Sequence, residues 1–549
     1  MLSQQGPGLA WFDLDGDGND DLVIGSGSGG TPSVFHSDGR GGFSPGTSTP
    51  DLAAPGDLLG LVGWRDATLR PRLLAAVSGY EQPQKAPLAV LGSTGRSLGR
   101  LGTCDLPPSL SSASTLAIGC LAPPAGLVLF VGGGVDPGRY PFARTAALLR
   151  LDASAGWKHD AAASARLADV GLVNGALWSD LDGDAVPELV LACDWGPVRV
   201  FASRTDGLVE TTSEMGLADL TGLWRGIASA DLDGDGRMDL VAGNWGWNSA
   251  WSAGVDRPFT ALVGETSRPG TVDFLETAPD PVTGKPTPLR SLERLGAALP
   301  FVPTHFRSFK AFSEAPIDAV LGEWKVLVRP RTVRTLASTV FLNRGGRFVA
   351  STLPAEAQFA PASSVNVADF DGDGHPDLFL GQNLTGIHPD AVRQDAGLGL
   401  LLRGDGRGGF RPVGSADSGL RIQGDQRGAA VCDFDGDGRP DLAVGQNGAA
   451  TRLFRNSGGT PGLRVRLVGP PGNPDAIGAQ FWLESGAART PTLEVQAGSG
   501  WLSQDSAVKV VPRLAQATLK VRWPGGRSTS VAVPATGAEV RLASGELSP

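Results

Sequence analysis

The sequence predicts an all-β protein in which a ring of repeated sheets, a β-propeller, is followed by a smaller β-sandwich. Three observations lead to this prediction. An acidic motif of ten residues recurs five times, and a short apolar run follows each copy. The 549 residues include 78 glycines and 41 prolines, which suits many short strands joined by tight turns. From Leu463 onwards the acidic motif stops and alternating strand patterns replace it.

The five acidic motifs carry carboxylates at positions 1, 3, 5 and 9, counted from the first aspartate. So many like charges in one turn repel one another unless a cation lies among them. Ca²⁺ takes about six to eight oxygen ligands, and alternate carboxylates with one backbone carbonyl supply them. Glycine at position 4 lets the backbone curl tightly. The motifs begin at Asp13 (DLDGDGNDDL), Asp180 (DLDGDAVPEL), Asp231 (DLDGDGRMDL), Asp369 (DFDGDGHPDL) and Asp433 (DFDGDGRPDL).

Two other interpretations of the motif were weighed. An EF-hand requires glutamate at position 12 and flanking helices. Position 12 is Ile24, Leu191, Ala242, Leu380 or Val444, which excludes an EF-hand. Solvated acidic turns without metal do not require aspartate at four fixed positions. The runs that follow the motifs, such as LVIG and LFLG, are typical of buried strands.

The acidity of the chain is concentrated in these motifs. The formal net charge is −10, whereas the twenty motif carboxylates alone carry −20. The rest of the chain is therefore net positive, and five Ca²⁺ ions would bring the whole protein close to neutral. Nucleic acid is not an expected partner, because no clustered lysine and arginine face is indicated.

The location of the protein is predicted from the ion that its loops require. Weak calcium loops fill only near millimolar Ca²⁺, so we expect an extracellular, periplasmic or cell-surface protein. The opening residues MLSQQGPGLAWF show no signal peptide. A motif at residue 13 leaves little room for a first strand, so a truncated start is expected. One disulfide, Cys104–Cys120, is possible in such a compartment, and buried free thiols are expected for the other cysteines.

The uncharged stretch from Leu106 to Val135 is long enough to suggest a membrane span. Two Pro-Pro pairs interrupt it, at Pro107–Pro108 and Pro123–Pro124. Two buried strands, STLAIGCLA and GLVLFVGG, explain it better. We therefore expect no membrane span.

The spacing of the motifs predicts the size of one repeat. Gaps of 51 and 64 residues separate motifs two and three and motifs four and five, which bracket one four-stranded blade. The gap between Asp13 and Asp180 has room for two more blades without metal, around residues 63–79 and 114–134. Hairpins with glycine-rich turns are expected at the outer edges of later blades, at 340–349, 401–410 and 452–460.

The gap between Asp231 and Asp369 predicts an insertion. Residues 264–275 resemble a degenerate calcium loop with Glu265 and Asp273 at its outer positions, which could head an eighth blade. Residues 286–322 follow a helical pattern, since Leu292, Leu295 and Leu299 share one face. We expect this helical insertion to lie over one end of the propeller, as a lid or a spacer.

The C-terminal part predicts a separate small domain. Leu463–Leu467 and Thr518–Trp523 alternate as half-exposed strands do. A β-sandwich of about 80 residues fits this length and pattern. The predicted domains are therefore residues 1–460 and 461–549.

The motifs resemble FG-GAP/VCBS repeats, the calcium-bearing blades also found in integrin α-subunit heads. GNPDAIGA (472–479), GSGWLSQD (498–505) and VRWPGG (521–526) resemble the ASPIC/UnbV domain that follows such repeats in cartilage acidic protein 1-like proteins. The insertion resembles a segment that bacterial members carry in a late blade. The resemblance implies a seven-bladed calcium-binding propeller, secreted or surface-exposed, with an adhesive or interaction role. We expect a protein or glycan partner at the cell surface and no catalysis.

Carried over position by position, the resemblance implies five calcium sites with four carboxylates each. Ala185 and Glu188 depart from the usual glycine and aspartate at the second site. The implied ligands are Asp13, Asp15, Asp17 and Asp21; Asp180, Asp182, Asp184 and Glu188; Asp231, Asp233, Asp235 and Asp239; Asp369, Asp371, Asp373 and Asp377; and Asp433, Asp435, Asp437 and Asp441.

A polysaccharide-binding protein or a polysaccharide lyase, acting in a pocket on the propeller face, is the alternative function. A lyase needs a base such as histidine and a cation at the uronate carboxylate. His305, in the insertion, is the candidate base, and a solvated helix residue is the competing interpretation. Trp245, Trp247 and Trp251 either stack on sugars or pack between blades. No GxSxG motif is present, and Gly25–Gly30 lacks the GK[ST] ending of a phosphate loop.

Overall fold

The computed structural model describes residues 5–84, 86–94, 96–121, 126–152, 156–204, 207–280, 283–386 and 392–545. These residues form mainly strands, and the all-β prediction is confirmed. The α-helices among them are short: α1 Ala161–Ala165, α2 Leu292–Ala298, α3 Val302–His305, α4 Phe309–Ser313, α5 Ile317–Leu321 and α6 Ser415–Ser418.

The first four sheets are antiparallel except at one edge of sheet 2, where the strand at Thr47–Ser48 pairs in parallel with the last strand of that sheet. In sheet 2 the strand Leu58–Arg65, which begins the antiparallel part, is called the first strand below. The first strands of these sheets are apolar and buried on both faces, as in LAWF and ASTLAIGCL. Sheet 1 contains β1 Leu9–Phe12, β2 Asp21–Ile24, β3 Ser33–Ser37 and β4 Phe43–Pro45; sheet 2 contains β5 Thr47–Ser48, β6 Leu58–Arg65, β7 Pro71–Val77, β8 Leu88–Thr94 and β9 Ser97–Thr103; sheet 3 contains β10 Ala113–Leu121, β11 Gly126–Gly133, β12 Ala147–Asp152 and β13 Gly156–His159; sheet 4 contains β14 Leu172–Ser179, β15 Glu188–Gly196, β16 Val198–Arg204, β17 Gly207–Glu210 and β18 Gly222–Leu223.

The fifth sheet is interrupted by the insertion, which has a four-stranded sheet of its own. In chain order, sheet 5 begins with β19 Ile227–Ala230 and β20 Asp239–Ala242; the insertion supplies β21 Phe259–Gly264, β22 Asp273–Pro279, β23 Pro286–Pro288 and β24 Val328–Val333; and sheet 5 ends with β25 Thr339–Asn343 and β26 Phe348–Thr352. Sheet 6 contains β27 Ala362–Ala368, β28 Asp377–Gln382, β29 Leu400–Gly404 and β30 Phe410–Val413; sheet 7 contains β31 Asp425–Cys432, β32 Asp441–Asn447 and β33 Arg452–Phe454.

The seven sheets are arranged as a closed ring. The first strands contact one another in the order β1, β6, β10, β14, β19, β27 and β31, and β31 contacts β1 again. Large apolar side chains fill the spaces between neighbouring sheets, for example Trp178 between sheets 3 and 4 and Phe341 between sheets 4 and 5. A ring of sheets that pack face to face buries both faces of each sheet, as in a β-propeller.

Several predicted elements can be compared with this ring. The apolar stretch at 106–135 forms β10 and β11, and its second Pro-Pro pair lies outside the described residues. No helix in the described part of the chain is long and apolar enough to span a membrane. The outer hairpins at 340–349 and 401–410 are present, as β25–β26 and β29–β30. The prediction of a hairpin at 452–460 was wrong, because β33 is the only strand that these described residues form.

The insertion is more than the predicted helical segment. Helices α2 to α5 pack around Leu295, Val302 and Ile317, and β21 to β24 form a sheet beside them. Residues 264–275 are the β21–β22 hairpin of this sheet, not the head of an eighth sheet in the ring. Glu265 pairs with Arg139, and Asp273 accepts hydrogen bonds from Thr266 and Ser267, so these two carboxylates are already matched.

The C-terminal region forms two sheets over one apolar core, as expected for a small β-sandwich. Phe481 and Leu519 of one sheet and Val465 and Leu542 of the other belong to this core. The first sheet has β34 at its centre and the second has β35 and β39. The strands are β34 Leu463–Val468, β35 Gln480–Ser485, β36 Ala488–Arg489, β37 Leu493–Glu494, β38 Lys509–Val511, β39 Thr518–Arg522, β40 Ser528–Ala532 and β41 Glu539–Ala543.

One part of this region, residues 497–506, enters the middle of the ring, and we call it the central segment. Gly500 exchanges two backbone hydrogen bonds with Ile227, and Gln504 exchanges two with strand β1. Further bonds join Ala497, Leu502, Asp505 and Ser506 to the first strands of sheets 3, 2, 6 and 7. The central segment therefore bonds to six of the seven first strands.

The four cysteines are free thiols, so the possible Cys104–Cys120 disulfide is absent. Cys120, Cys193 and Cys432 are buried in apolar surroundings, and burial raises the pKa of the Cys193 thiol to about 12. The expectation of buried free thiols matches this arrangement.

Candidate metal centres in the repeated loops

Each acidic motif lies in the turn between the first and second strands of sheets 1, 4, 5, 6 and 7. Position 1 follows the first strand directly, and position 9 is the first residue of the second strand. All five loops therefore lie at the same end of the ring. In sheet 2 the corresponding turn at 66–70 has only Asp66, whose carboxylate is bonded to Thr68, Arg70 and Arg72.

In four of the five loops, the position 9 carboxylate ties the loop to the third strand of its sheet or to the chain just after that strand. Asp239 accepts a hydrogen bond from Leu232 N at 2.9 Å and another from Asn343 N at 2.7 Å. Because the two donors belong to the loop and to β25, one carboxylate holds three segments together. The same pair of bonds is made by Asp21, Asp377 and Asp441.

The position 1 carboxylate shapes the loop from inside. Asp13 accepts hydrogen bonds from Gly16 N at 2.7 Å and Gly18 N at 3.2 Å, so the backbone curls around it. Gly18 has a φ of +93°, which glycine adopts without strain. In the second loop Ala185 takes this place with a φ of +66° and still donates to Asp180.

The carboxylates at positions 1, 3 and 9 meet at one point in the three middle loops. In each loop, one oxygen from each of the three residues lies within 4.8 Å of the other two. In the first loop positions 1, 3 and 5 (Asp13, Asp15 and Asp17) meet in the same way. The three middle clusters are Asp180, Asp182 and Glu188; Asp231, Asp233 and Asp239; and Asp369, Asp371 and Asp377.

Burial and mutual repulsion make these carboxylates hold protons strongly. Burial, with repulsion from neighbouring carboxylates, raises the pKa of Asp239 and Asp377 to about 7. The same causes raise the pKa of Glu188 and Asp441 to about 8. A divalent cation removes this repulsion, because it supplies the opposite charge at the point where the oxygens converge.

Buried carboxylate oxygens without a hydrogen-bond partner indicate whether the residues suit a metal ion. Asp231 Oδ1 and Asp233 Oδ1 are buried and have no hydrogen-bond partner among the described residues. Such atoms are costly to bury unless something binds them. The donor set is composed of carboxylate oxygens, which suits a hard cation such as Ca²⁺ or Mg²⁺. The residues present therefore fit a hard divalent cation.

Arginines in or just after the third strands neutralise part of three clusters. Arg403 lies 2.6 Å from Asp371 and 2.7 Å from Asp373, and Arg344 and Arg455 contact Asp233 and Asp435. These guanidinium groups pair with positions 3 and 5. The pKa is raised at positions 1 and 9 mainly because those carboxylates are buried.

The C-terminal region lies against the metal loops, a contact that the sequence did not reveal. Arg522 pairs with Asp180 at 2.7 Å, Arg464 pairs with Asp433 at 2.9 Å, and Thr492 N donates to Asp231 at 2.8 Å. Asp475 reaches the first loop through Arg65, which also contacts Asp13. Arg522 belongs to the VRWPGG motif, which was noted for its resemblance only. Position 1 thus connects four loops to the C-terminal region.

The tryptophans of the alternative interpretation lie on the opposite side of the ring. Trp245 is buried against Trp251, with ring centres 4.8 Å apart, and Trp251 stacks on Phe259 of the insertion. These two therefore pack in one cluster with the insertion and with Trp195 and Leu223 of sheet 4. Trp247 is 55% exposed. His305 is an exposed residue of α3 whose ring Nδ1 lies 2.9 Å from Phe301 O.

The raised pKa values predict how pH affects the metal-free protein. A carboxylate whose pKa is higher in the folded state contributes stability below its unfolded pKa of about 4 and loses it as pH rises through the folded pKa. For Asp239 and Asp441 that loss extends to about pH 7 and 8. We expect the melting temperature of metal-stripped protein to fall between pH 5 and pH 8, at constant ionic strength. A melting temperature that rises over this range would contradict the prediction.

Comparisons with known proteins agree with this architecture. The FG-GAP-like repeat family matches residues 180–242 and 332–380, and the FG-GAP repeat family matches residues 427–460. The ASPIC and UnbV family matches residues 469–548. The comparison with curated proteins gave no match.

Two of the solved structures that match this chain do so at low similarity. The rhamnogalacturonan lyase YesW is 12% identical, with a TM-score of 0.28, over 81% of this chain and 82% of that one. The Bacillus licheniformis rhamnogalacturonan lyase PL11 is 11% identical, with a TM-score of 0.27, over 83% and 90%. At these scores the likeness carries no argument about activity. The two repeat matches and the C-terminal match together make this chain an FG-GAP repeat protein with a C-terminal UnbV domain.

Proposed function

We propose that the protein is a calcium-dependent interaction or adhesion module that works outside the cell, without catalysis. The observation that carries this proposal is the cluster of Asp231, Asp233 and Asp239, where two buried carboxylate oxygens have no partner among the described residues. The same motif recurs in five loops at one end of the ring, with a total of twenty carboxylates. Ca²⁺ suits such oxygen donors, and it is abundant outside the cell.

The proposed role of calcium is structural and has two parts. Within a sheet, the ion neutralises the carboxylates whose position 9 member holds the loop and the third strand together. Between regions, the ion keeps position 1 ionised, and therefore able to bond to Arg522, Arg464 and Thr492. Calcium would thus hold the seven-sheet propeller (1–460) and the C-terminal domain (461–549) as one unit.

The proposed partner is a protein or a glycan at a cell surface. The exposed indole of Trp247, beside the insertion, is a side chain that stacks on sugar rings or anchors a protein partner. If the partner is a glycan, polysaccharide binding or lyase action is the second candidate function. A binding screen of calcium-loaded protein against glycans and proteins, with depolymerisation of acidic polysaccharides assayed in parallel, separates the two. Release of unsaturated products would overturn the non-catalytic proposal.

Replacing one central carboxylate is expected to empty one site only. Asp233→Ala and Asp371→Ala each remove position 3 from one loop, and loops of different sheets do not share ligands. Each variant should bind one calcium fewer than the wild-type protein, as expected for repeats that act nearly independently. Calcium per chain, measured by plasma mass spectrometry after equilibrium dialysis, checks this.

Asp405→Ala is the matched control for these variants. Asp405 lies in the outer hairpin GDGRGG, and among the described residues its carboxylate accepts hydrogen bonds from the backbone N–H groups of Arg407 and Gly409. Its removal should leave the calcium count unchanged. A loss of several ions from Asp233→Ala alone would show that the sites are coupled, against the proposal.

A further inference from the structure

The first metal loop differs from the other four in having a histidine on the third strand of its sheet. His36 belongs to β3, the third strand of sheet 1, and its ring lies over the loop that begins at Asp13. Its Nδ1 is 3.1 Å from Asp21 Oδ2 and 3.4 Å from Asp15 Oδ2. The three side chains form a group whose ligand atoms all lie within 4.8 Å of one another. The imidazole therefore points at the same place as the carboxylates.

His36 has the features of a metal ligand. It is only 5% exposed, its Nδ1 faces the Asp21 and Asp15 carboxylates without a well-aligned hydrogen bond, and its Nε2 has no partner among the described residues. A buried ring nitrogen without a hydrogen bond is costly. The ring is also confined, because a Cβ on Gly46 would lie 3.0 Å from Nε2. The glycine leaves just enough room for the ring, with Nδ1 turned to the loop.

Strand register shows that this histidine is specific to sheet 1. Leu22 pairs with Phe35, so His36 is the next residue along the third strand. In each of the other four sheets, the leucine that follows position 9 also pairs with the third strand. The residue after its partner is not a metal ligand in any of these sheets. These equivalents are Ala202, Leu342, Arg403 and Arg455.

We propose that the first loop is a mixed nitrogen and oxygen site for a first-row divalent cation such as Zn²⁺, with His36 Nδ1 as a ligand. Imidazole suits Zn²⁺ and related ions, whereas carboxylates alone favour Ca²⁺, Mg²⁺ and Mn²⁺. The separations of 3.1 and 3.4 Å match the ligand spacing of about 3.3 Å around a tetrahedral zinc ion with bonds near 2.0–2.1 Å. The other four loops, which lack a nitrogen ligand, retain their preference for hard cations.

Zinc titration of the metal-stripped full chain in 2 mM CaCl₂ tests this inference, because excess calcium occupies sites that prefer it. Isothermal titration should detect one Zn²⁺ per chain that calcium does not displace. His36→Gln replaces the nitrogen with an amide of similar shape. We expect it to weaken zinc binding at least about tenfold, a difference of about 1.4 kcal/mol, while the calcium count stays the same.

A second variant keeps the test decisive if His36→Gln folds poorly. Leu342→His places an imidazole at the equivalent position of sheet 5, beside Asp233 and Asp239, and should create a second zinc site. Co²⁺ bound to the wild-type protein should show visible absorption bands that change in His36→Gln. Absence of calcium-resistant zinc in the wild type, or equal zinc affinity in His36→Gln, would overturn the inference. Loss of calcium binding at all loops with zinc retained would instead overturn the proposed function alone.

Discussion

Removal of calcium is expected to lower the melting temperature by on the order of 10 °C. Each ion that binds only the folded state adds about 2.7 kcal/mol when its concentration is 100 times its Kd. The four loops that prefer hard cations act together, and for a chain of 549 residues about 1 kcal/mol corresponds to about 1 °C. The physical reason is the return of repulsion among buried carboxylates such as Asp231, Asp233 and Asp239. Differential scanning calorimetry in chelator and in 10 mM CaCl₂ measures the change.

Magnesium and salt controls show whether the effect belongs to the loops. Mg²⁺ requires near-octahedral geometry and keeps its water, so an equal concentration should stabilise the protein much less. Sodium chloride at matched ionic strength should have little effect on these buried clusters, since salt screens mainly exposed charges. Equal melting temperatures in chelator and in calcium would refute structural calcium sites.

Truncation of Trp501 is expected to destabilise the protein by about 3–5 kcal/mol. Trp501 is 2% exposed and lies at the centre of the ring, packed on Leu59 and Leu502. Its indole Nε1 donates to Gln5 O, and Arg225 lies 5.8 Å from the ring centre. The Trp501→Ala variant leaves a cavity among segments that cannot close over it, because each sheet is already packed against its neighbours. The melting temperature should therefore fall by about 3–5 °C.

Trp482→Ala is the matched control in the same C-terminal region. Trp482 lies on β35 and is only half-buried. The guanidinium carbon of Arg489 lies 4.7 Å from the centre of its ring. We expect Trp482→Ala to lower the melting temperature by about 1 °C. Limited proteolysis should cut the C-terminal region faster in Trp501→Ala than in Trp482→Ala, because the central segment anchors that region. Equal effects of the two variants would mean that the central segment adds no special stability.

The metal loops were predictable because their chemistry is local. Positions 1, 3 and 9 lie within nine residues of one another, so the spacing of the aspartates already places their side chains in one turn. The apolar runs after them became β2, β15, β20, β28 and β32, since each run has both the composition and the length of a buried strand. The alternation in Leu463–Leu467 and Thr518–Trp523 corresponds to β34 and β39, with one face buried.

The failures all involve contacts distant in sequence. The sheet of the insertion pairs β21 with both β22 and β24, which are separated by all of the helical residues, so the correct prediction of helices within 286–322 did not reveal it. His36 is 15 residues beyond Asp21, and only the register of β3 turns it towards that carboxylate. Residues 452–460 have the glycine pattern of a hairpin, yet Asn456 bonds to Asp441 and Phe370 O instead.

The amino-acid sequence by itself determined the all-β class, the five acidic loops and the strand that follows each loop, because those features depend on residues within one hairpin. Tertiary structure decided how the parts are combined. GSGWLSQD, at the far end of the chain, lies inside a ring whose first strand begins at Leu9, and Arg522 and Arg464 contact the metal loops. Such contacts join residues several hundred positions apart, and they exist only after the ring closes and brings unpaired backbone groups and buried carboxylates within reach.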